Sequence, residues 1–139
     1  MRIYFAGSIR GGEPDGDWFR QLIHHMEGFG EVLTRQAFGL PWEDEMDVDE
    51  GEIYRRDMRW LSQADALVAE ITAPSLGVGY EVAKAEQRGI PVLLLYKKTP
   101  GKKPSAMLMG NPCLKLVEYT EKEEALEAVE AFLSALEAS

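Results

Sequence analysis

Three short stretches of this chain hold the residue types from which a reaction could be built: GSIRGG at residues 7–12, IYRRDMRWL at 53–61 and APSLGVGYE at 73–81. In the first, the glycines let a backbone approach a ligand closely, and N–H groups at a following helix start favour an anion. Ser8 adds a hydroxyl donor and Arg10 a planar fork matched to phosphate oxygens. The same residues also suit an ordinary strand-to-helix turn with its arginine in solvent, and the spacing fits neither the dinucleotide fingerprint nor the Walker pattern. In APSLGVGYE, Pro74 and Ser75 mark a helix start, yet Gly77 and Gly79 follow in its first turns, where each costs about 1 kcal/mol against alanine. Helix stability does not account for them. Glu81 lies four residues after Gly77 on the same face, and its side chain tilts back over the space that glycine leaves. That arrangement presents a carboxylate to a ligand; the alternative is a glycine pair that permits close helix–sheet packing, with Glu81 in solvent. In IYRRDMRWL, the stripe Tyr54, Met58 and Leu61 is apolar, and Asp57 stands beside it with Ile53, Tyr54, Trp60 and Leu61 three and four positions away. With no basic residue at those spacings, no partner is expected within the helix. Such a carboxylate either caps or bonds a tertiary donor, or serves a site.

Composition narrows what this chemistry could be. At 139 residues the chain is expected to form one domain, residues 1–139, large enough for a core without disulfides or metals. Cys113 is the single cysteine, and His24 and His25, adjacent on one helix, cannot both face one metal, so neither a metal nor an organic cofactor is expected. The net charge of -9 and pI near 4.7 argue against a nucleic-acid polymer as partner, because that binding runs on counterion release from a basic surface. No apolar stretch is long enough to span a bilayer and the chain starts directly in a strand-like run, so no membrane partner is expected and a cytoplasmic location is.

The elements that must position these residues follow a βα alternation. RIYFA predicts a first strand, Asp15 to Gly28 a helix with Trp18, Leu22, Ile23 and Met26 as its stripe, and EVLT a second strand. Arg35 to Glu50 has neither period and contains Pro41 and six acidic residues, which reads as a lid or a disordered crossing. A helix over Glu52 to Gln63, the strand ALVAEI, a helix over Ser75 to Arg88 and the strand PVLLLY come next. The loop KKTPGKKP, a turn near Ser105, the strand CLKLVEY with Cys113 in the core, and a final helix complete the chain. Thr120 and Glu123 are expected to box that helix, whose Leu126, Val129, Phe132, Leu133 and Leu136 face inward. Near-continuous apolar strands are those of a sheet covered on both faces. The expected fold is α/β, a flavodoxin-like (Rossmann-like) five-stranded parallel sheet with helices on both faces, whose ligands gather beyond the carboxyl ends of the strands.

In order along the chain, YFAGSIRGG, RRDMRWLSQAD, VAEITAPSLGVGYE and PSAM resemble the 2'-deoxynucleoside 5'-monophosphate N-hydrolases of the nucleoside 2-deoxyribosyltransferase superfamily. The resemblance implies cleavage of the N-glycosidic bond of a deoxynucleoside monophosphate to free base and 2-deoxyribose 5-phosphate. It makes Glu81 the nucleophile, Tyr4 the group that orients it, and Asp57 the residue that handles the base and its protonation. It also implies a phosphate pocket of Ser8, Arg10 and Ser75, with Gly7, Ile9, Gly11, Gly77 and Met107 among the substrate contacts. Ser105 is then supplied by a neighbouring subunit of a homodimer. Chemically the roles are coherent: a carboxylate can capture the oxocarbenium-like sugar, and a proton on the base improves the leaving group. Read without the family, Tyr4 is an ordinary strand aromatic.

Three rivals remain at this level. A nucleoside 2-deoxyribosyltransferase uses the same carboxylate but passes the sugar to a second base, and Arg10 in a phosphate-type loop disfavours it. A ribonucleotide N-glycosidase of the CMP type differs only in the sugar, while a nucleotide-binding sensor would bind without turnover. Lys97, Lys98, Lys102 and Lys103 either steer an anion toward Ser105 or form a solvated loop, and Trp42 either covers the base as part of a lid or does not.

Overall fold

The computed structural model describes residues 1–8, 16–39 and 49–139. Five strands, β1 (Arg2–Gly7), β2 (Glu31–Val32), β3 (Ala66–Glu70), β4 (Val92–Lys97) and β5 (Lys115–Tyr119), form one parallel sheet in the order β2-β1-β3-β4-β5. The expected flavodoxin-like topology is therefore observed. Strand order reverses at β1, which pairs with β2 on one side and β3 on the other, so a crevice falls beyond the carboxyl ends of β1 and β3. In that register Gly7 stands opposite Glu70.

Six helices are described: α1 (Gly16–Met26), α2 (Arg35–Gly39), α3 (Glu50–Gln63), α4 (Leu76–Arg88), α5 (Ala106–Met109) and α6 (Lys122–Glu137). Side-chain alternation along the strands sorts them into two layers. Ile3, Phe5, Val68, Leu93 and Leu95 pack under α1 and α6, meeting Trp18, Leu22, Met26, Val129 and Leu133. Tyr4, Ala6, Leu67, Ala69 and Leu94 point the other way, under Leu61 of α3 and Val78, Val82 and Ala85 of α4. This parity puts the Tyr4 phenol beneath the two helices that carry Asp57 and Glu81.

Several expectations are corrected at the ends of elements. The first turn of the Arg35 to Glu50 stretch is helical, as α2, and α3 starts at Glu50 because Asp49 caps it, its carboxylate accepting from the Glu52 N–H at 3.2 Å. Residues 40–48 of that stretch, Trp42 among them, lie outside the described residues. The box on α6 is one residue later than expected: Glu124 accepts from the Glu121 N–H at 2.9 Å while Glu121 caps in return. Val129, Phe132 and Leu133 of the expected α6 stripe are buried, and Leu126 and Leu136 pack at its margin. Cys113 is exposed, since β5 begins only at Lys115. Tyr54, placed on the apolar stripe of its helix, is instead 52% exposed. Among the described residues, no helix is long and apolar enough to cross a membrane and no cluster of His, Cys, Asp or Glu could hold a metal ion.

Candidate active site

β1 delivers Tyr4 to the floor of a small cavity, α3 brings Asp57 and Arg56 to one wall, and α4 brings Glu81 to the opposite one. Thr34, Ala37 and Phe38, at and after the end of β2, close a third side, and Gly7 lies at the rim. The cavity's volume is about 60 Å³, room for a few water molecules and far less than a nucleotide. Within it the Tyr4 hydroxyl donates to Glu81 Oε2. The Nε of Arg56 donates to Asp57 Oδ1 at 3.0 Å, and the Arg56 guanidinium lies 4.8 Å from the centre of the Trp60 ring. Asp57 therefore has a basic partner on its own helix, contrary to the sequence expectation. The three- and four-residue spacings miss it because the long arginine stem bends back along the helix surface to its immediate neighbour.

Electrostatics distinguish these groups. Burial is the largest influence on Glu81 and pushes its carboxyl up to about 7; the Tyr4 hydrogen bond opposes this, the Asp57 charge adds to it, and the Arg56 charge opposes it. Tyr4 is driven well above the ordinary phenol range, first by burial and then by the charges of Glu81 and Asp57. At neutral pH the phenol is thus a proton donor, and Glu81 is poised between its acid and its anion.

The glycines of α4 find an explanation here. Among the described residues, a Cβ at Gly77 would meet only the Ser75 Oγ, at 3.9 Å, and one at Gly79 would meet nothing within 4 Å. Neither has a positive φ. Close packing against the described residues does not require them; Gly77 leaves open surface at the start of α4, one turn before Glu81, whereas Gly79 borders the helix's other flank. Gly7 differs, because a Cβ there would come within 2.7 Å of the Phe19 ring, so α1 already occupies that space. Ser8 follows and is buried. Ile9, Arg10 and Gly11 lie outside the described residues.

Ser75, Ser105 and Met107 do not line the cavity of Tyr4, Asp57 and Glu81. They line a much larger cleft, about 1010 Å³, on the other flank of α4, together with Val78, Val82, Tyr96, Leu108 and Leu114. Ser75 caps α4, its Oγ accepting from the Val78 N–H at 3.2 Å, and Ser105 caps α5 by accepting from the Met107 N–H at 3.2 Å. Met107 is 82% exposed. Lys102 and Lys103 border the same cleft, whereas all four lysines of that loop are exposed.

Two parts of the arrangement escape sequence reasoning. Arg56 is one; its signal was the Trp60 four residues on, the spacing at which a guanidinium can stack. The other is Glu70, buried at the end of β3, whose carboxylate accepts from the Thr72 N–H and hydroxyl, both at 2.8 Å, and from the Tyr119 hydroxyl. Trp18 donates to that tyrosine oxygen at 3.0 Å. This network ties α1, β3 and β5 together and fixes the path by which the chain leaves β3 toward Ser75.

A doubly covered parallel sheet with paired carboxylates beside its switch point defines an α/β enzyme-like site. Residues 3–112 match the family described as nucleoside 2-deoxyribosyltransferase, and the chain belongs to that family. A protein of Nematostella vectensis with the provisional name 2'-deoxynucleoside 5'-phosphate N-hydrolase 1 is 45% identical over 112 residues, covering 78% of this chain and 76% of the relative. The 5-hydroxymethyl-dUMP N-hydrolase of Esox lucius is 39% identical over 134 residues, covering 93% and 92%, and that of Mus musculus 38% over 127 residues, covering 87% and 73%. Among solved structures, a CMP N-glycosidase of Clostridium botulinum superposes with a TM-score of 0.67 at 18% identity, covering 95% of this chain and 99% of that one, which shows a shared fold.

Proposed function

We propose that this chain, acting as one domain, hydrolyses the N-glycosidic bond of 2'-deoxynucleoside 5'-monophosphates, releasing the base and 2-deoxyribose 5-phosphate. The names of its relatives support the reaction. The observation that carries the assignment of roles is the Tyr4–Glu81–Asp57 constellation around one small cavity. In the first step an oxygen of ionised Glu81 bonds to the anomeric carbon as the bond from that carbon to the base nitrogen breaks, its electron pair leaving with the base. Asp57 binds the base and relays the proton that it takes up. Water then attacks the same carbon and returns Glu81 to a free carboxylate. Summed over both steps, the hydroxyl of water ends on the sugar and its proton on the base.

Tyr4 aligns Glu81 and favours its anion, which raises the share of the nucleophile that is ionised at neutral pH. The 5'-phosphate is assigned to Ser8 and Arg10, with Gly7, Ile9 and Gly11 lending backbone, and to the start of α4 at Ser75 and Gly77. A homodimer belongs to the same reading: Ser105 and Met107 line the far cleft of their own chain, so their contribution to a phosphate pocket would be made to a second copy. The cytoplasm, where free nucleotides are formed and consumed, is the proposed location.

Chromatography of products from a panel of deoxy- and ribonucleoside monophosphates, and from nucleosides offered with a second base, tests the reaction. Free base and sugar phosphate from the deoxynucleotides are expected. Base exchange on nucleosides would instead make the protein a transferase, and binding without turnover a sensor.

A further inference from the structure

The candidate site contains a cation that the roles above leave unused. Among the described residues lining the small cavity, Arg56 is the one basic side chain. It is fixed on two sides: its Nε donates to Asp57 Oδ1 at 3.0 Å, and its guanidinium lies over Trp60 at 4.8 Å. Only 20% of this side chain is exposed, and 25% of that of Asp57. An exposed ion pair between neighbours on a helix would be worth little. Here the pair borders a cavity in which a second carboxylate must become an anion, and two carboxylates in one site resist ionising together.

We propose, building on the hydrolase reading, that Arg56 is a positioning residue: held between the Asp57 carboxylate and the face of Trp60, it orients Asp57 and offsets its charge beside the second carboxylate, Glu81. Among the described residues, the groups facing Glu81 are Tyr4 from β1 and Asp57 and Arg56 from α3, while Thr34, Ala37 and Phe38 bring no charge. The influence of Arg56 on Glu81 has the required sign, opposing burial and the Asp57 charge. Asp57 rather than Glu81 takes the direct hydrogen bond, so Glu81 keeps its nucleophilicity instead of being quenched by a fork of donors. Stacking on Trp60 suits arginine specifically, since the planar guanidinium rests on an aromatic face as an ammonium does not.

The test follows the ionisation of Glu81 by carbon-detected NMR in protein labelled at the glutamate carboxyl, the signal being assigned by its loss in Glu81→Gln. Arg56→Gln is expected to raise the Glu81 midpoint by about one unit and to move the acidic limb of kcat/KM upward with it, whereas Arg56→Lys keeps the midpoint close to wild type but lowers turnover. A merely structural role would leave both midpoints in place. A Glu81 midpoint unmoved or lowered in Arg56→Gln overturns the inference, as does equal behaviour of the glutamine and lysine variants. Arg56→Met, which keeps the stem on Trp60, reads the same shift if Arg56→Gln fails to fold. If the midpoint rises as expected in a protein that hydrolyses no nucleotide, the hydrolase reading falls and only the charge-setting part of this inference remains.

Discussion

On one flank of α4 lies a cavity of about 60 Å³ framed by two carboxylates, a phenol and a guanidinium; on the other lies a cleft of about 1010 Å³ framed largely by Ile71, Val78, Val82, Leu108 and Leu114. Size alone would choose the cleft as the binding site, since ligand pockets are commonly several hundred Å³ and mostly apolar. Chemistry chooses the cavity, because Glu81, the carboxyl whose burial lifts it to about 7, is there and its proton-donating partner is Tyr4. The helix between them serves both: Glu81 projects to one side while Val78, Val82 and Ser75 border the other. A bond-breaking centre can be small provided that the rest of a substrate extends beyond it, and the open surface at Gly77 lies one turn away on the same face.

If the cavity is the reaction centre, the largest effect belongs to Glu81. Glu81→Gln should lower kcat by about 10³-fold or more with folding intact, as measured by steady-state release of base. Next comes Tyr4→Phe. Its hydroxyl favours the Glu81 anion, so its loss should move the acidic limb of the pH–rate profile upward by about one unit and reduce turnover at neutral pH by roughly fivefold, with recovery at higher pH. A uniform loss at all pH values would show that Tyr4 acts on something other than the ionisation of Glu81.

The cleft should respond differently. Ser105→Ala is expected to raise KM for a nucleoside monophosphate several-fold with little change in kcat, as for a group that binds ground state and transition state alike. Equal KM values would separate the cleft from catalysis altogether. Smallest is a stability effect. Glu81 is raised in the folded protein from 4.5 to about 7, so its contribution to stability is full below about 4.5 and is lost as pH rises through about 7. The melting temperature of Glu81→Gln relative to wild type should therefore increase from about pH 5 to about pH 8, by on the order of 5 °C.

How much of this was legible in the sequence differs between the same two regions. The parallel sheet and its two helical layers follow from apolar runs such as ALVAE and VLLLYK, which can only be buried on both faces. The spacing of Gly77 and Glu81 announced a presented carboxylate. That Tyr4 reaches it depends on strand parity across a separation of 77 positions, a pairing that only the closed sheet creates. The Arg56–Asp57 contact was hidden because adjacent helical residues point some 100° apart, and it takes a long side chain anchored on Trp60 to close that angle. The separation of Ser75 and Ser105 from Glu81 was equally hidden, since a helix start can be approached from either flank. Boundaries moved by a residue or two where a cap decided them, as at Asp49 and Glu121.

The most direct test of Glu81 as nucleophile is to quench the enzyme during turnover of a deoxynucleoside monophosphate and read its peptides by mass spectrometry. A deoxyribose phosphate carried on the peptide containing Glu81, absent from Glu81→Gln, is the expected result. Full hydrolysis by Glu81→Gln, or an adduct on another residue, would contradict the account.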